Sequence, residues 1–167
     1  MVQLLVTYLE MNAPPRGPEL SPPLGTVIVE REAPDATTYL ALYRAIGAPL
    51  HWDQRSRMAS DELQGFLTGP ATRLYVLRLA DRSVGMCEFD RVGEPDVELT
   101  HFGLIPDFQG QRLGPYLLDR ALRSIWASPG TRRIWLHTDT YDHPKALSVY
   151  QRAGFQTYDQ RVETFPD

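Results

Sequence analysis

The sequence predicts an α/β fold with a mixed β-sheet flanked by helices. Segments with the residue pattern of strands and segments with helical spacing follow one another in the order two strands, two helices, three strands, then helix–strand–helix–strand. The three central strands are joined by the short connections Asp81–Ser83 and Gly93–Pro95, which are typical of an antiparallel meander. Together these two observations indicate one sheet with helices packed on it.

The chain begins with a predicted strand and a proline-rich loop. Val2–Met11 is rich in apolar and β-branched residues, which favours a strand, whereas Asn12–Pro23 contains five prolines and favours irregular structure. Thr26–Glu32 alternates apolar with polar side chains and predicts the next strand. Val2–Met11 is too short to bury a core alone, so we expect residues 1–167 to form one domain, with residues 1–23 as an extra strand plus loop.

Two helices are predicted next. Asp35 can cap a helix that runs through Ile46 and ends at Gly47. A second helix is expected to begin near Ser60 or Asp61 and to end at Gly69. The polar segment between them contains one tryptophan and two arginines.

The remaining elements follow from the same patterns. Pro115 suits the first turn of a helix, and Asp142 or His143 is expected to cap a later helix that Gly154 ends. The predicted elements are the strands Leu74–Leu79, Val84–Arg91 and Val97–Leu104, the helix Pro115–Trp126, the strand Arg133–Thr138, the helix up to Gly154, and the strand Phe155–Phe165.

Composition narrows the classes of function. A net charge of -4 and a pI near 5.6 argue against a nucleic-acid partner held by phosphate neutralisation. No apolar run approaches the roughly 20 residues that cross a bilayer, and the N-terminus is a poor signal peptide. Cys87 is the one cysteine, so no intrachain disulfide can form. We therefore expect a cytoplasmic protein with neither nucleic acid nor membrane as a partner.

One segment has the features of an anion site. Gln109–Gly114 follows a predicted strand and leads directly into a helix. Glycines let successive backbone N–H groups point into one concave turn, and the helix adds its free N–H groups and the positive end of its dipole. Such a turn suits a pyrophosphate, to which Arg112 would add charge. An ordinary strand-to-helix turn with two glycines remains an alternative.

Two stretches together resemble the GNAT superfamily of N-acetyltransferases. Gln109 and Gly114 match the first and last positions of its motif Q/R-x-x-G-x-G/A, although Arg112 stands where a glycine is usual. Ala146-x-x-x-Tyr150-x-x-x-Gly154-Phe155 is similar to a second motif of the family, with His143 in place of the usual asparagine. The resemblance covers about Leu74 to Phe155; plain packing of the second helix is the alternative interpretation.

The resemblance implies acetyl-CoA as cosubstrate and a splayed sheet. The strands Val97–Leu104 and Arg133–Thr138 would separate at their ends and admit the pantetheine arm. The family usually ends in two strands and this chain has room for one, so we expect Val2–Met11 to fill the missing place, from its own chain or from a partner in a homodimer. The implied cofactor-binding residues are Phe102, Leu104, Gln109, Gly110, Gln111, Arg112, Leu113, Gly114, His143 and Ala146.

Two residues are candidates for the chemistry. Glu98 lies eleven residues before Gln109, a spacing at which some family members carry a base glutamate, so it is the candidate base. Tyr150 matches the tyrosine that lies near the CoA sulfur in the family. A phenol, with a pKa of about 10, can protonate a thiolate. A salt-bridged strand carboxylate and a packing tyrosine are the respective alternatives.

The acceptor side is less well marked. Trp52, Arg55, His101 and His137 are candidate substrate-binding residues, and Arg55 with Arg57 would suit an acceptor that carries a carboxylate. Surface arginines and structural histidines explain the same residues. Glu88 and Asp90 alternate on a strand and could present an acidic face to a cationic amine, but we expect them to be solvated. The histidines have no metal-ligand spacing, so no metal is expected.

The sequence thus predicts an N-acetyltransferase that moves an acetyl group from acetyl-CoA to a primary amine of a small molecule or protein by direct attack. A non-catalytic acyl-CoA-binding or regulatory module on the same fold is the alternative, because Arg112 and His143 depart from the family pattern.

Overall fold

The computed structural model describes residues 1–23 and 25–166, which form a seven-stranded mixed sheet with helices on both faces. The strand order is β2-β3-β4-β5-β6-β1-β7. This confirms the predicted fold class. The strands are β1 (Val2–Met11), β2 (Val27–Glu32), β3 (Arg73–Leu79), β4 (Arg82–Asp90), β5 (Asp96–Leu104), β6 (Arg133–Asp139) and β7 (Gln156–Phe165), and the helices are α1 (Ala36–Gly47), α2 (Ser60–Thr68), α3 (Leu113–Trp126) and α4 (Ala146–Ala153).

Strand β1 occupies an internal place in the sheet of its own chain. It pairs antiparallel with β6 on one side and with β7 on the other. Leu9 and Val6 on this strand are fully buried. The extra N-terminal strand therefore fills the position that the sequence left open, and it does so within one chain.

The sheet is covered on both faces, and strand β3 shows why. Its residues Leu74–Leu77 are buried without interruption. Tyr75 and Leu77 belong to the core beneath α3, whereas Leu74 and Val76 belong to the core beneath α1 and α2. Alternate side chains of a strand point to opposite faces, so a continuous apolar run is what a sheet with two covered faces requires.

Strands β5 and β6 separate after a short parallel contact. They pair only at Asp96↔Arg133, Val97↔Ile134 and Glu98↔Trp135. Beyond Glu98 the two strands diverge, while β5 remains paired with β4 as far as Leu104. The predicted splay is present, and it leaves the β6-facing edge of the later half of β5 without a neighbouring strand.

The proline-rich segment runs across α3 on its way from β1 to β2. Leu20 donates its backbone N–H to Asp119 Oδ2 at 3.1 Å, and Arg123 Nη2 donates to the carbonyl of Pro18 at 3.1 Å. Because β1 and β2 lie far apart in the sheet, the segment that connects them passes over α3. Among the described residues no helix is both long and apolar enough to span a membrane.

Two helix starts differ from the sequence prediction. α4 begins at Ala146, after Lys145, and not at a cap formed by Asp142 or His143. The Asp142 carboxylate instead accepts the Thr138 hydroxyl and the His143 N–H, which keeps this stretch in a turn before the helix. α3 begins at Leu113, two residues earlier than predicted. The cap of α1 by Asp35 is confirmed, since Asp35 Oδ1 accepts the Thr38 N–H at 2.8 Å.

Candidate active site

A cleft of about 790 Å³ lies where β5 and β6 diverge, and we call it the β5–β6 cleft. One wall comes from the segment between α1 and α2, including Trp52 and Asp53. The other comes from the end of β6 and the loop after it, including Asp139 and Tyr141. The divergence of the strands therefore creates a concave site with one wall from each side of the sheet.

Glu98 lies at the point where the strands part. Its side chain is 18% exposed and lines the cleft. Among the described residues no donor hydrogen-bonds its carboxylate, and His137 Nε2 lies 4.0 Å from Oε2. Burial raises the pKa of Glu98, and Asp90 raises it further, against an opposing effect of His137. A carboxylate with a raised pKa and a free oxygen is suited to accept a proton.

Tyr150 reaches the same cleft from α4. It is 4% exposed, and its ring packs against Phe102 and Phe155 with centroids 5.8 and 5.9 Å away. No described residue hydrogen-bonds its hydroxyl. Burial raises the pKa of Tyr150 well above its usual value, and the nearby Asp142 adds to this effect. The hydroxyl therefore stays protonated at neutral pH, as a proton donor requires.

The turn Gln109–Gly114 lies directly before α3. Gly110 and Arg112 both adopt positive φ, 80° and 63°. The backbone N–H groups of Gly110, Gln111 and Arg112 have no acceptor among the described residues, and the first helical N–H groups of α3 lack intrahelical acceptors. Glycine adopts this left-handed conformation without strain, whereas a residue with a side chain, such as Arg112, adopts it at an energetic cost.

The other expected cofactor residues fall into two groups. Phe102 lies in the cleft lining, and Leu104 follows it on the part of β5 whose β6-facing edge has no neighbouring strand. His143 and Ala146 do not line the cleft; His143 Nδ1 accepts the Lys145 N–H at 3.1 Å, and Ala146 packs against the main core. The strand residues thus border the opening, whereas these two lie beside it.

Three of the four expected substrate residues border the cleft. Trp52, His101 and His137 all line it. The Trp52 and His101 rings lie 4.9 Å apart. A Cβ on Gly47 would lie 2.4 Å from Trp52 Cε3, so the glycine that ends α1 also makes room for this indole. The sequence contains this glycine ahead of Trp52, but the space that it leaves for the indole is visible only in the structure.

Arg55 is placed differently from the expectation. It lies outside the lining of the cleft, with a side chain that is 6% exposed, and its Nη2 donates to Glu88 Oε2 at 2.9 Å. Arg57 is on the surface, and its Nη2 pairs with Asp53 Oδ2 at 2.6 Å. Arg55 is neutralised by a buried carboxylate and does not mark a site for an acceptor carboxylate, whereas Arg57 is an exposed residue of the cleft lining.

Glu88 is the main residue that sequence reasoning misjudged. It was expected to be solvated, but it is completely buried. Its carboxylate accepts hydrogen bonds from Tyr39, Arg55, Thr100 and His101. Tyr43 was also missed and lines the cleft. The sequence places Glu88 on a predicted strand, and this is the one feature that could have indicated burial. In the structure both faces of that strand are covered.

The cleft mouth has aromatic contacts across it. The His51 ring stacks on Tyr141 with centroids 4.1 Å apart. His51 belongs to the segment after α1, and Tyr141 to the loop after β6, so this contact joins the two walls. Among the described residues no group of His, Cys, Asp or Glu is arranged to hold a metal ion.

The sequence is similar to proteins described as N-acetyltransferases. Proteins described as uncharacterised N-acetyltransferases of Mycobacterium bovis and Mycobacterium tuberculosis are 27% identical over 101 residues, which is 60% of this chain. The match spans 64% of the length of these relatives.

Two solved structures described as acetyltransferases have the same fold. A GCN5-related N-acetyltransferase from Sphaerobacter thermophilus superposes with a TM-score of 0.69 at 20% identity, over 95% of this chain and 50% of that chain. An aminoglycoside acetyltransferase from an uncultured soil metagenomic sample gives a TM-score of 0.67 at 20% identity, over 85% of this chain and 96% of that one. At this identity the likeness concerns the fold.

The family follows from these results together with the geometry. The divergent strands, the glycine-containing turn before α3 and the tyrosine of α4 agree with the resemblance seen in the sequence. The model of the acetyltransferase (GNAT) family matches residues 37–155, which is most of the chain. The protein belongs to the GNAT acetyltransferase family.

Proposed function

We propose that the protein transfers an acetyl group from acetyl-CoA to a primary amine by direct attack, with Glu98 as base and Tyr150 as acid. The observation that carries this proposal is the opening between β5 and β6. It has an unpaired strand edge on one side, a carboxylate without a hydrogen-bond donor at its inner end, and a protonated phenol beside it.

The turn before α3 supports the binding of the cofactor. The free N–H groups from Gly110 to Arg112, together with the start of α3, offer donors to a pyrophosphate. From there the pantetheine arm would follow the β6-facing edge of Phe102 and Leu104 as an added strand. This path leads to the hydroxyl of Tyr150, which borders the same cleft.

The charge of the cleft favours an amine acceptor. Among the described lining residues Arg57 is the only Lys or Arg, and Asp53 neutralises it. Glu98, Asp139 and Asp142 supply further carboxylates. An ammonium group is attracted to such a cleft and can lose its proton to Glu98 there.

A structural neighbour supports a small-molecule acceptor as one class to test. The aminoglycoside acetyltransferase with the same fold, 19% identical to this chain, was solved in complex with sisomicin. Small polyamines, aminoglycosides and lysine-containing peptides therefore form the starting panel.

The test has two steps. Thermal unfolding is followed with acetyl-CoA, CoA and ATP, and free-thiol release is then measured with acetyl-CoA and each amine. We expect both CoA compounds, but not ATP, to raise the melting temperature, and at least one amine to release thiol.

The outcomes separate the candidate functions. Stabilisation by CoA with no turnover on any amine would replace the enzyme with an acyl-CoA-binding module. An unchanged melting temperature with either CoA compound would contradict both functions.

A further inference from the structure

A buried carboxylate lies directly below the β5–β6 cleft. Glu88 on β4 is completely buried, and its Oε2 accepts hydrogen bonds from Arg55 Nη2 and His101 Nδ1, each at 2.9 Å. Thr100 donates to the same oxygen, and Tyr39 donates to Oε1. Burial alone would raise the pKa of Glu88, but His101, Arg55 and Thr100 outweigh it and hold the pKa well below its usual range. Glu88 is therefore ionised.

The bond to Glu88 sets the orientation of His101. Because Nδ1 donates to the carboxylate, Nε2 is the nitrogen without a proton in the neutral ring. Nε2 lies 3.3 Å from the Tyr43 hydroxyl. The Tyr43 oxygen already accepts the backbone N–H of Arg55 at 3.2 Å, so its own proton is free to point to His101.

This chain of hydrogen bonds leads from the interior to the cleft. Both His101 and Tyr43 line the cleft, and the Trp52 ring packs against both, at 4.9 and 5.3 Å. Burial raises the pKa of Tyr43 to about 12, and Glu88 adds to this, so Tyr43 remains protonated. The groups that face His101 are then Glu88 from β4 and Tyr43 from α1, with Arg55 and Tyr39 behind Glu88 and Thr100 beside it.

Stabilisation of Glu88 does not use the whole His101 side chain. Arg55 already pairs with Glu88, and the His101 contact adds to the stabilisation of the carboxylate. His101 also lines the cleft, and its Nε2 faces the hydroxyl of Tyr43, which lines the cleft too. An imidazole held by a carboxylate at one nitrogen and contacted by a phenol hydroxyl at the other can accept a proton through that hydroxyl.

Acetyl transfer to an amine releases two protons from nitrogen. The ammonium form loses the first to Glu98, and the nitrogen then attacks the thioester carbon to form the C–N bond and an oxyanion. The nitrogen is now positively charged and must lose a second proton before the oxyanion reforms C=O. The C–S bond breaks with its electron pair on sulfur, and Tyr150 protonates the thiolate. One of the two protons finally restores Tyr150, and the other leaves to solvent.

We propose that His101 accepts the second proton through the Tyr43 hydroxyl, and that Glu88 is the positioning residue that keeps Nε2 of His101 without a proton of its own. The imidazolium that forms is stabilised by the Glu88 carboxylate. The proposal rests on the acetyl transfer proposed above, and it adds two residues to that reaction.

The first measurement needs no acceptor. Side-chain ¹⁵N NMR of the CoA-bound protein identifies the His101 signals by their loss in His101→Gln. We expect Nδ1 to carry the proton and Nε2 to be bare at neutral pH. In Glu88→Gln the preference for this tautomer should weaken, because a neutral amide replaces the charged acceptor at Nδ1.

The second measurement is the rate with the amine acceptor. His101→Gln and Glu88→Gln should lower kcat by about a hundredfold, with the KM for acetyl-CoA nearly unchanged. Tyr39→Phe is the matched control, since it removes a hydrogen bond to the same buried carboxylate without changing any charge, and Tyr39 does not line the cleft. It should keep the wild-type kcat and the wild-type His101 tautomer.

A second variant is needed in case Glu88→Gln does not fold. Glu88→Gln leaves the Arg55 charge buried and unpaired, which is destabilising. If that variant does not fold, the double variant Arg55→Met, Glu88→Gln removes both charges and should show the same loss of kcat.

Three results would overturn the relay. These are wild-type kcat in His101→Gln, a His101 ring with its proton on Nε2, and a loss of kcat in Tyr39→Phe equal to that in Glu88→Gln, which would mean a structural role only. A wild-type protein that binds CoA but acetylates no amine would remove the proposed function and the relay with it. Turnover that survives in His101→Gln would remove the relay alone.

Discussion

His137 Nε2 lies 4.0 Å from Glu98 Oε2, across the point where β5 and β6 part. Glu98 belongs to the last pair that joins the two strands, and His137 follows two residues after Trp135, its partner in that pair. The two side chains therefore mark the inner end of the cleft. Any acceptor amine that reaches the thioester along the diverging strands would meet them.

Removal of the Glu98 carboxylate should slow the reaction. In Glu98→Gln we expect kcat to fall by about a hundredfold or more, because the amide cannot accept the proton of the ammonium. Binding of CoA, measured by calorimetry, should stay close to wild type, because Glu98 is assigned to the acceptor and not to the cofactor. A Glu98→Gln enzyme with wild-type kcat would mean that another group is the base.

The pH dependence offers a second test of Glu98. Its pKa is raised by burial and by Asp90, and a base works only when deprotonated, so the rate should rise as the pH rises through this raised pKa. Asp90→Asn removes a repelling charge, which should lower the pKa of Glu98 and move the acidic limb of the kcat profile to lower pH. The plateau at high pH should not change. A shift toward higher pH would contradict the assignment.

The internal position of β1 makes a stability prediction. Leu9→Ala should lower the free energy of unfolding by about 2–5 kcal/mol, because the side chain is fully buried in the core. Leu5→Ala, on the same strand but 42% exposed, should change it by less than about 0.5 kcal/mol. Deletion of residues 1–12 should be more damaging than either. A truncated protein with an unchanged melting temperature would show that β1 is dispensable.

Arg112 combines a charge with an unfavourable backbone conformation. A left-handed residue other than glycine costs roughly 1 kcal/mol, so Arg112→Gly should be more stable to denaturant than Arg112→Ala by about that amount. Both variants lose the charge and should bind CoA more weakly than wild type, with a smaller salt dependence. If both bind CoA as tightly as wild type, the Arg112 side chain has no role at the pyrophosphate.

Much of this fold is encoded by local patterns. The β-branched residues that begin Val27–Glu32, the cap at Asp35 and the apolar stripe of α3 are each local features of the sequence, and the structure places the corresponding elements as expected. The start of α4 was misplaced because the Asp142 carboxylate binds Thr138 and His143 instead of capping a helix. The start of α4 therefore depends on Thr138, a residue of β6 that lies outside the helix.

The acceptor side was harder to predict because its contacts are not local. Arg55 and Glu88 are separated by 33 residues, and no sequence pattern near either residue predicts that they form an ion pair. A register shift of β4 against β5 next to Glu88 brings Thr100 and His101 to the same carboxylate. A bulge of this kind changes which side chains share a face, and a strand pattern read along one segment cannot reveal it.

The most direct test of the central claim is the turnover of Tyr150→Phe. The substitution removes one hydroxyl that has no hydrogen-bond partner among the described residues, so the fold and the CoA affinity should be preserved. Tyr116→Phe, in a buried tyrosine of α3 outside the cleft, is the matched control and should keep wild-type turnover. Free-thiol release from acetyl-CoA with the acceptor amine should fall by about tenfold or more in Tyr150→Phe. Wild-type thiol release in Tyr150→Phe would contradict acid catalysis at this cleft.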